Sequence, residues 1–180
     1  FKADVCEKLQ IEAPIYEDGQ FTGRKEMRDV SSTLIREAIR RGDMEFAAKM
    51  LGAPFAVGGE VIRGRQLGRK LGMPTANVVP PLHKIMPPNG VYSSRTIVGD
   101  YVYHSVTNIG FNPTIADNNS KRMETYVYDF SGSLYGKEIE VQLFRFERPE
   151  MKFDGIDALK NQIHKDKAAT MEYFGTHIDL

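Results

Sequence analysis

Between residues 55 and 146, strand-like segments follow one another with no helical stretch between them, and that succession limits the folds open to the chain. Parallel neighbours need a crossover of a dozen or more residues, usually a helix, whereas antiparallel neighbours need only a turn. The segments are 55–57, 60–63, 76–79, 91–98, 101–109, 123–130 and 139–146, rich in β-branched and aromatic residues. Val98-Gly99-Asp100-Tyr101 reads as a tight hairpin turn, and Asn89-Gly90 is a second turn signal. The sheet should therefore be antiparallel. Many short strands without long crossovers predict a mainly β fold, a small closed Greek-key barrel.

Helices are expected only at the two ends. Leu34, Ile35, Ala38 and Ile39 lie at helical spacing, and Ser31, Ser32 or Thr33 can cap the start. Gly42 ends that helix and Asp43 can cap the next, which carries Met44, Phe46, Ala47, Met50 and Leu51 up to Gly52 and Pro54. At the other end Asp154 can cap a helix whose apolar stripe is Ile156, Leu159 and Ile163. This texture divides the chain at about residue 53. The start at Phe1, in a polar stretch, reads as a piece of a longer protein.

Composition excludes several classes of function. Lys plus Arg number 24 and Asp plus Glu number 24, so no global field points to nucleic acid or to a membrane surface. No run approaches the roughly 20 apolar residues of a membrane-spanning helix. Cys6 is the only cysteine, which rules out an internal disulfide framework or a thiolate zinc cluster and fits a cytoplasmic location. His83, His104, His164 and His177 are dispersed without metal-ligand spacing.

One loop stands out chemically: GRQLGRKLGMPTANV, residues 64–78. Gly64, Gly68 and Gly72 let the backbone approach a ligand, successive N–H groups can cradle an anion, and Arg65, Arg69 and Lys70 add charge. It is not a Walker A loop, because the spacing is wrong and Pro74 blocks a following helix. Thr75 and Asn77 are two apart on an expected strand, so both side chains share a face. Their oxygens suit a hard cation such as Mg²⁺. From composition alone, a plain basic turn before a polar strand start is the favoured reading. A nucleic-acid surface would interleave aromatics for stacking, and none lies between Gly64 and Val79.

The pattern G-x-x-x-G-x-K-x-G-M-P-T-A-N here resembles the signature of the riboflavin kinase (flavokinase) family. The resemblance continues in order through Asn89-Gly90-Val91-Tyr92, Asn108-Ile109-Gly110, Met123-Glu124-Thr125, Leu134-Tyr135-Gly136 and Arg148-Pro149-Glu150-Met151-Lys152-Phe153, across about 57–174. Met73 stands where the family more often has Phe or Ile. Val30-Ser31-Ser32-Thr33-Leu34-Ile35-Arg36 resembles a motif of nucleotidylyltransferases, in which hydroxyls and an arginine at a helix start hold ATP phosphates.

The resemblance implies a kinase barrel over 54–180, making FMN and ADP from riboflavin and ATP with Mg²⁺. Residues 1–53 would be a helical remnant of the α/β FMN adenylyltransferase module of bifunctional bacterial enzymes, keeping Ser31, Ser32, Thr33 and Arg36. That module also needs an H-x-G-H type motif, which this chain lacks, so FAD formation would need the missing N-terminal half as partner. Gly64, Gly68, Lys70, Gly72, Pro74, Thr75 and Asn77 would bind ATP, with Thr75 and Asn77 on the metal. Glu124 would be the catalytic base. Glu124, Arg148 and Phe153 would meet the flavin, and Tyr92 is a further aromatic that could pack against the ring. The rival readings are a flavin- or nucleotide-binding regulatory module without turnover and, more remotely, a small-barrel nucleic-acid binder.

Overall fold

The computed structural model describes residues 8–64, 73–111 and 121–176. A hairpin of β1 (Gln10–Glu17) and β2 (Gln20–Asp29) leads into α1 (Ser32–Arg41) and α2 (Met44–Leu51). The barrel strands follow: β3 (Phe55–Ile62), β4 (Thr75–Val78), β5 (Gly90–Val98), β6 (Tyr101–Phe111), β7 (Lys121–Val127) and β8 (Glu138–Arg148). A final helix, α3, spans Ile156–Thr176.

Around the barrel the order is β3-β4-β7-β6-β5-β8, closing back on β3, with every neighbour antiparallel. The meander β5-β6-β7 takes β4 beside β7, which is the Greek-key arrangement anticipated from the strand succession. The expected hairpin turn is present: Val98 pairs with Tyr101, and Gly99 takes the left-handed φ of 59° that a two-residue loop requires.

Two expected segments, 55–57 and 60–63, are a single strand. Gly58 and Gly59 stay in the ladder opposite Glu140 and Ile139. A side chain at Gly59 would sit 2.9 Å from Val78 Cγ1, so this glycine admits the close approach of β4 rather than breaking the strand. The β1–β2 hairpin was not anticipated. Its signal is Asp18-Gly19, both with positive φ (48° and 79°), the backbone of a type I′ turn.

The N-terminal helices form where expected. Ser31 caps α1 by accepting from Leu34 N–H at 3.2 Å, and Asp43 caps α2 through Phe46 N–H at 3.1 Å. Their buried faces, including Leu34, Ile39, Met44 and Phe46, share one hydrophobic core with the barrel interior residues Val57, Val61, Val78 and Leu143.

Inside the barrel a polar layer runs across three strands. Thr96, Ser105, Ser94, Thr107 and Thr125 are fully buried and hydrogen-bond in series at 2.8–2.9 Å. Hydroxyls that bond one another in this way avoid the desolvation penalty of an unpaired polar group.

Helix α3 lies on the outside of the barrel, and its buried face differs from the expected stripe. Ile156 is 58% exposed; the buried positions are Asp166, Thr170, Tyr173 and Phe174. The helix also opens one residue later than expected: Gly155, not Asp154, occupies the cap position, its carbonyl accepting from Leu159 N–H at 3.2 Å. Strand β8 makes this seam possible. Against β5 it carries two irregularities, with Ser93 opposite Arg145 but Ser94 opposite Leu143, and Val91 opposite Arg148 but Tyr92 opposite Phe146. Phe144 and Glu147 are the extra residues. Phe144 packs at 5.0 Å against Phe174. Glu147 accepts from Ser93 and from Arg145, while Ser93 Oγ also hydrogen-bonds the Thr170 hydroxyl at 3.1 Å, accepting its proton.

Thr107 bridges Ser94 and Thr125 in the hydroxyl chain. Thr107→Val should lower stability by about 1–3 kcal/mol in urea unfolding, because Ser94 and Thr125 lose their shared partner in a dry interior. At the far end of α3, His104 stacks on Phe174 at 4.5 Å, with Arg95 over the same ring. Burial, then the Arg95 charge, holds the His104 pKa below its ordinary 6.5, against a weaker pull from Asp129. The unfolded chain thus takes up the proton first as pH falls. The contribution of His104 to stability is complete above pH 6.5 and is lost progressively as pH falls below it. His104→Gln should flatten this acid-side drop in the unfolding midpoint.

Candidate active site

The short strand β4 begins directly after Pro74, which favours extended backbone before it. Its register carries the site. Asn77 pairs with Glu124 on β7, Glu124 with Asn108 on β6, Asn108 with Val91 on β5, and Val91 with Arg148 on β8. Directly paired residues project to the same face, so five strands contribute one row. A second row, two residues along, holds Thr75, Tyr126 and Val106. The intervening residues Ala76, Thr125 and Thr107 point into the barrel and are buried. The row is therefore on the outer surface.

Over this surface lies a cavity of about 200 Å³. Its floor is Thr75, Glu124, Tyr126, Asn108 and Val91; Met151 and Phe153 form one wall, and Leu159 and Ile163 of α3 form another. Val91, Val106 and Tyr128 make an apolar patch beneath, with Tyr126 packed against it. A carboxylate, an amide and apolar walls suit a mostly apolar ligand that presents one polar reacting group.

A second cavity, of about 300 Å³, opens at the barrel end among Val61, Pro74, Thr75, Ala76, Val127 and the 130–135 loop. Thr75 lines both cavities. Beside it, Asn77 is 6% exposed, and its carboxamide lies against Gly64: a Cβ there would fall 2.5 Å from Asn77 Oδ1. The thing Gly64 provides is room for that carboxamide. Thr75 and Asn77 offer neutral hard oxygens. The described residues contain no cluster of His, Cys, Asp or Glu able to hold a metal by itself. That donor set fits a divalent cation that keeps waters and shares substrate phosphates.

Arg148 reaches the cavity, but its guanidinium is engaged. Nε and Nη2 donate to the two carboxylate oxygens of Asp166 at 2.9 and 2.7 Å, and Nη1 donates to Pro149 O at 3.0 Å. This bidentate pair ties β8 to α3 at the cavity edge. Its cation also lies 6.0 Å from the Phe153 ring. Tyr92, considered above as a flavin contact, is instead in the core: it is fully buried, donates to Pro88 O at 2.7 Å and packs edge-on to Phe146. Burial pushes its phenol far above the ordinary range.

The structure thus brings together Thr75, Asn77, Glu124, Arg148 and Phe153, with Gly64 and Pro74 adjoining. Gly68, Lys70 and Gly72 lie outside the described residues. Ser31, Ser32 and Arg36 are elsewhere, at α1, where Ser32 Oγ accepts from Arg36 Nη1 at 3.3 Å and both border a groove with Lys84; Thr33 is exposed on the same turn. Sequence reasoning gave no role to Asp166. Its signal was a polar residue interrupting the apolar spacing of the last helix.

Fold and cavities together are those of a small-barrel enzyme with two adjoining cavities. The chain belongs to the riboflavin kinase family, whose Flavokinase model matches residues 51–174. It is 40% identical over 149 residues to the bifunctional riboflavin kinase/FMN adenylyltransferase of Bacillus subtilis, covering 82% of this chain and 47% of that protein. The Escherichia coli protein of the same description is 38% identical over 147 residues, covering 81% and 46%. The chain therefore spans about half the length of the curated relatives it matches. A crystal structure from Streptococcus pneumoniae, described as a macrolide-efflux protein, superposes with a TM-score of 0.75 at 32% identity, covering 88% of this chain and 49% of that one. Among the described residues no helix is long and apolar enough to cross a membrane.

Gly64→Ala should displace the Asn77 carboxamide while leaving the barrel intact. The expected result is a loss of roughly tenfold or more in turnover with little change in the unfolding midpoint, since a small misplacement of a positioning group costs rate rather than stability. Steady-state kinetics beside urea unfolding reads both.

Proposed function

We propose that this chain transfers the γ-phosphoryl group of ATP to the 5′-hydroxyl of riboflavin, giving FMN and ADP. The observation that carries the reading is the pairing of Asn77 with Glu124 across β4 and β7, beside Thr75, which lines both cavities. Riboflavin takes the outer cavity, with its ring between the apolar walls and its ribityl end toward Glu124. ATP takes the barrel-end cavity, with its phosphates toward Thr75 and Asn77.

The 5′-oxygen attacks the γ-phosphorus, the bond from that phosphorus to the β–γ bridging oxygen breaks, and ADP leaves. Glu124 takes the proton from the hydroxyl. Thr75 and Asn77 orient the phosphate end, and Gly64, Gly68, Lys70, Gly72 and Pro74 are the further residues assigned to ATP binding. Mg²⁺, when bound, neutralises charge on the phosphate oxygens, and Thr75 and Asn77 are the residues that would hold it. Arg148 and Phe153 border the flavin end, Arg148 acting through its pair with Asp166.

In the intact protein we read residues 1–53 as the tail of an FMN adenylyltransferase module, as the names of the relatives suggest, with Ser31, Ser32, Thr33 and Arg36 retained from it. FAD synthesis then belongs to the full-length protein. A single cysteine in 180 residues fits an enzyme of the reducing cytoplasm.

Riboflavin, MgATP and this chain should yield FMN, detected by chromatography. Glu124→Ala should lower kcat by about 10²–10⁴ while riboflavin and ATP still bind. Binding of both substrates without FMN formation by the parent chain would sink the catalytic reading and leave a binding module. FMN formed at an undiminished rate in EDTA would count against the roles of Thr75 and Asn77.

A further inference from the structure

Three segments singled out by the family resemblance, Asn89-Gly90, Asn108-Ile109-Gly110 and Pro149-Glu150, converge on one carboxylate that the proposed chemistry does not use. Asn89 Nδ2 donates to Glu150 Oε2 at 3.2 Å, and Asn108 Nδ2 donates to Glu150 Oε1 at 3.2 Å. Gly110 supplies the seat: a Cβ there would lie 2.2 Å from Glu150 Oε1 and 2.9 Å from Cδ. Lys121, next along β7, adds a positive charge that Glu150 faces.

The position of Glu150 gives this contact its consequence. Residues 149–153 belong to neither strand nor helix, so no ladder holds them and side-chain contacts set their place. Met151 and Phe153 of this segment wall the outer cavity, and Glu150 itself lines it. Asn108 occupies the row position between Glu124 and Val91 on the cavity floor. The carboxylate therefore links the wall to the floor, next to the proposed base.

We propose that Glu150, held by Asn89 and Asn108 over the bare Cα of Gly110, is a positioning residue. It latches the 149–153 segment across the outer cavity and sets how tightly and how long the riboflavin ring is retained. This rests on the assignment of riboflavin to that cavity. Glu150 touches no reacting atom, so the latch governs retention of the flavin and leaves the phosphate end alone.

Gly110 permits a test that separates the latch from simple loss of a side chain. In Gly110→Ala the new methyl occupies the space of the carboxylate, and the atom it meets is the far end of a flexible side chain. The barrel can keep its fold while the latch opens. Riboflavin release is followed by stopped-flow fluorescence, with KM for riboflavin and for MgATP and kcat measured beside it. Glu150→Ala and Gly110→Ala should each raise the release rate and the riboflavin KM by roughly fivefold, the scale of two partly solvated hydrogen bonds. The MgATP KM should stay within about twofold, because the latch does not reach the phosphate end. In the double variant the methyl meets an empty seat, so its effect should equal that of Glu150→Ala alone. Additive effects, an equal rise in the MgATP KM, or an unchanged release rate would overturn the latch. A parent chain that binds riboflavin and makes FMN while the variants behave like it overturns the latch alone. A parent that neither binds riboflavin nor makes FMN overturns the cavity assignment and the latch with it.

Discussion

The two extra residues in β8 are the constraint on which the outer site depends. A regular strand would alternate, sending Phe144 and Phe146 to one face and Arg145 and Glu147 to the other. With Phe144 and Glu147 inserted against β5, the strand instead offers Phe144, Arg145 and Arg148 to α3 within five positions. Helix α3 is held by an aromatic cluster at one end and by the Arg148–Asp166 pair at the cavity edge. Without those irregularities the helix would have no such seat, and the cavity would lose a wall.

A closed barrel of six strands leaves little space inside, and here the interior is filled by apolar side chains and a hydrogen-bonded layer of five hydroxyls. Substrates must then be accommodated on the outer surface or at an open end. Both places hold a cavity, and β4 is the strand that joins them. It is only four residues long, yet Thr75 reaches both cavities and Asn77 is pressed beneath Gly64 beside Glu124. Catalysis of phosphoryl transfer asks chiefly for positioning and charge neutralisation. In the proposed reaction a strand between two pockets would meet the first demand, and the hard oxygens of Thr75 and Asn77 would meet the second.

The outer cavity has a graded construction. Its floor belongs to the barrel ladder, one wall to a long helix and the other to a segment without a ladder of its own. Regions with few backbone hydrogen bonds open at lower free energy than the core they border. The 149–153 wall is the part that can give way for a ligand, and the side chains anchoring it are where retention is tuned.

What the sequence determined by itself was local and periodic. Strands without intervening helices required antiparallel pairing, Gly99 required a tight hairpin, and Ser31 and Asp43 required helix starts, because each rests on a neighbour a few residues away. The loop and the Thr75–Asn77 spacing pointed to phosphate and cation chemistry, and the family resemblance singled out Glu124. The β1–β2 hairpin was not anticipated, although Asp18-Gly19 is its turn signal. What only the tertiary structure decided was register. Asn77, Glu124, Asn108, Val91 and Arg148 lie far apart in the chain and share a row because five strands pair in one alignment. The stripe expected on the last helix was incomplete for a related reason: Leu159 and Ile163 do face the outer cavity, but the most buried positions lie beyond them. Asp166 and Thr170 are polar, and their burial is favourable only because Arg148 and Ser93 stand opposite them. Periodicity reports the apolar face of an element, whereas a partner brought from a distant strand can make a polar face the buried one.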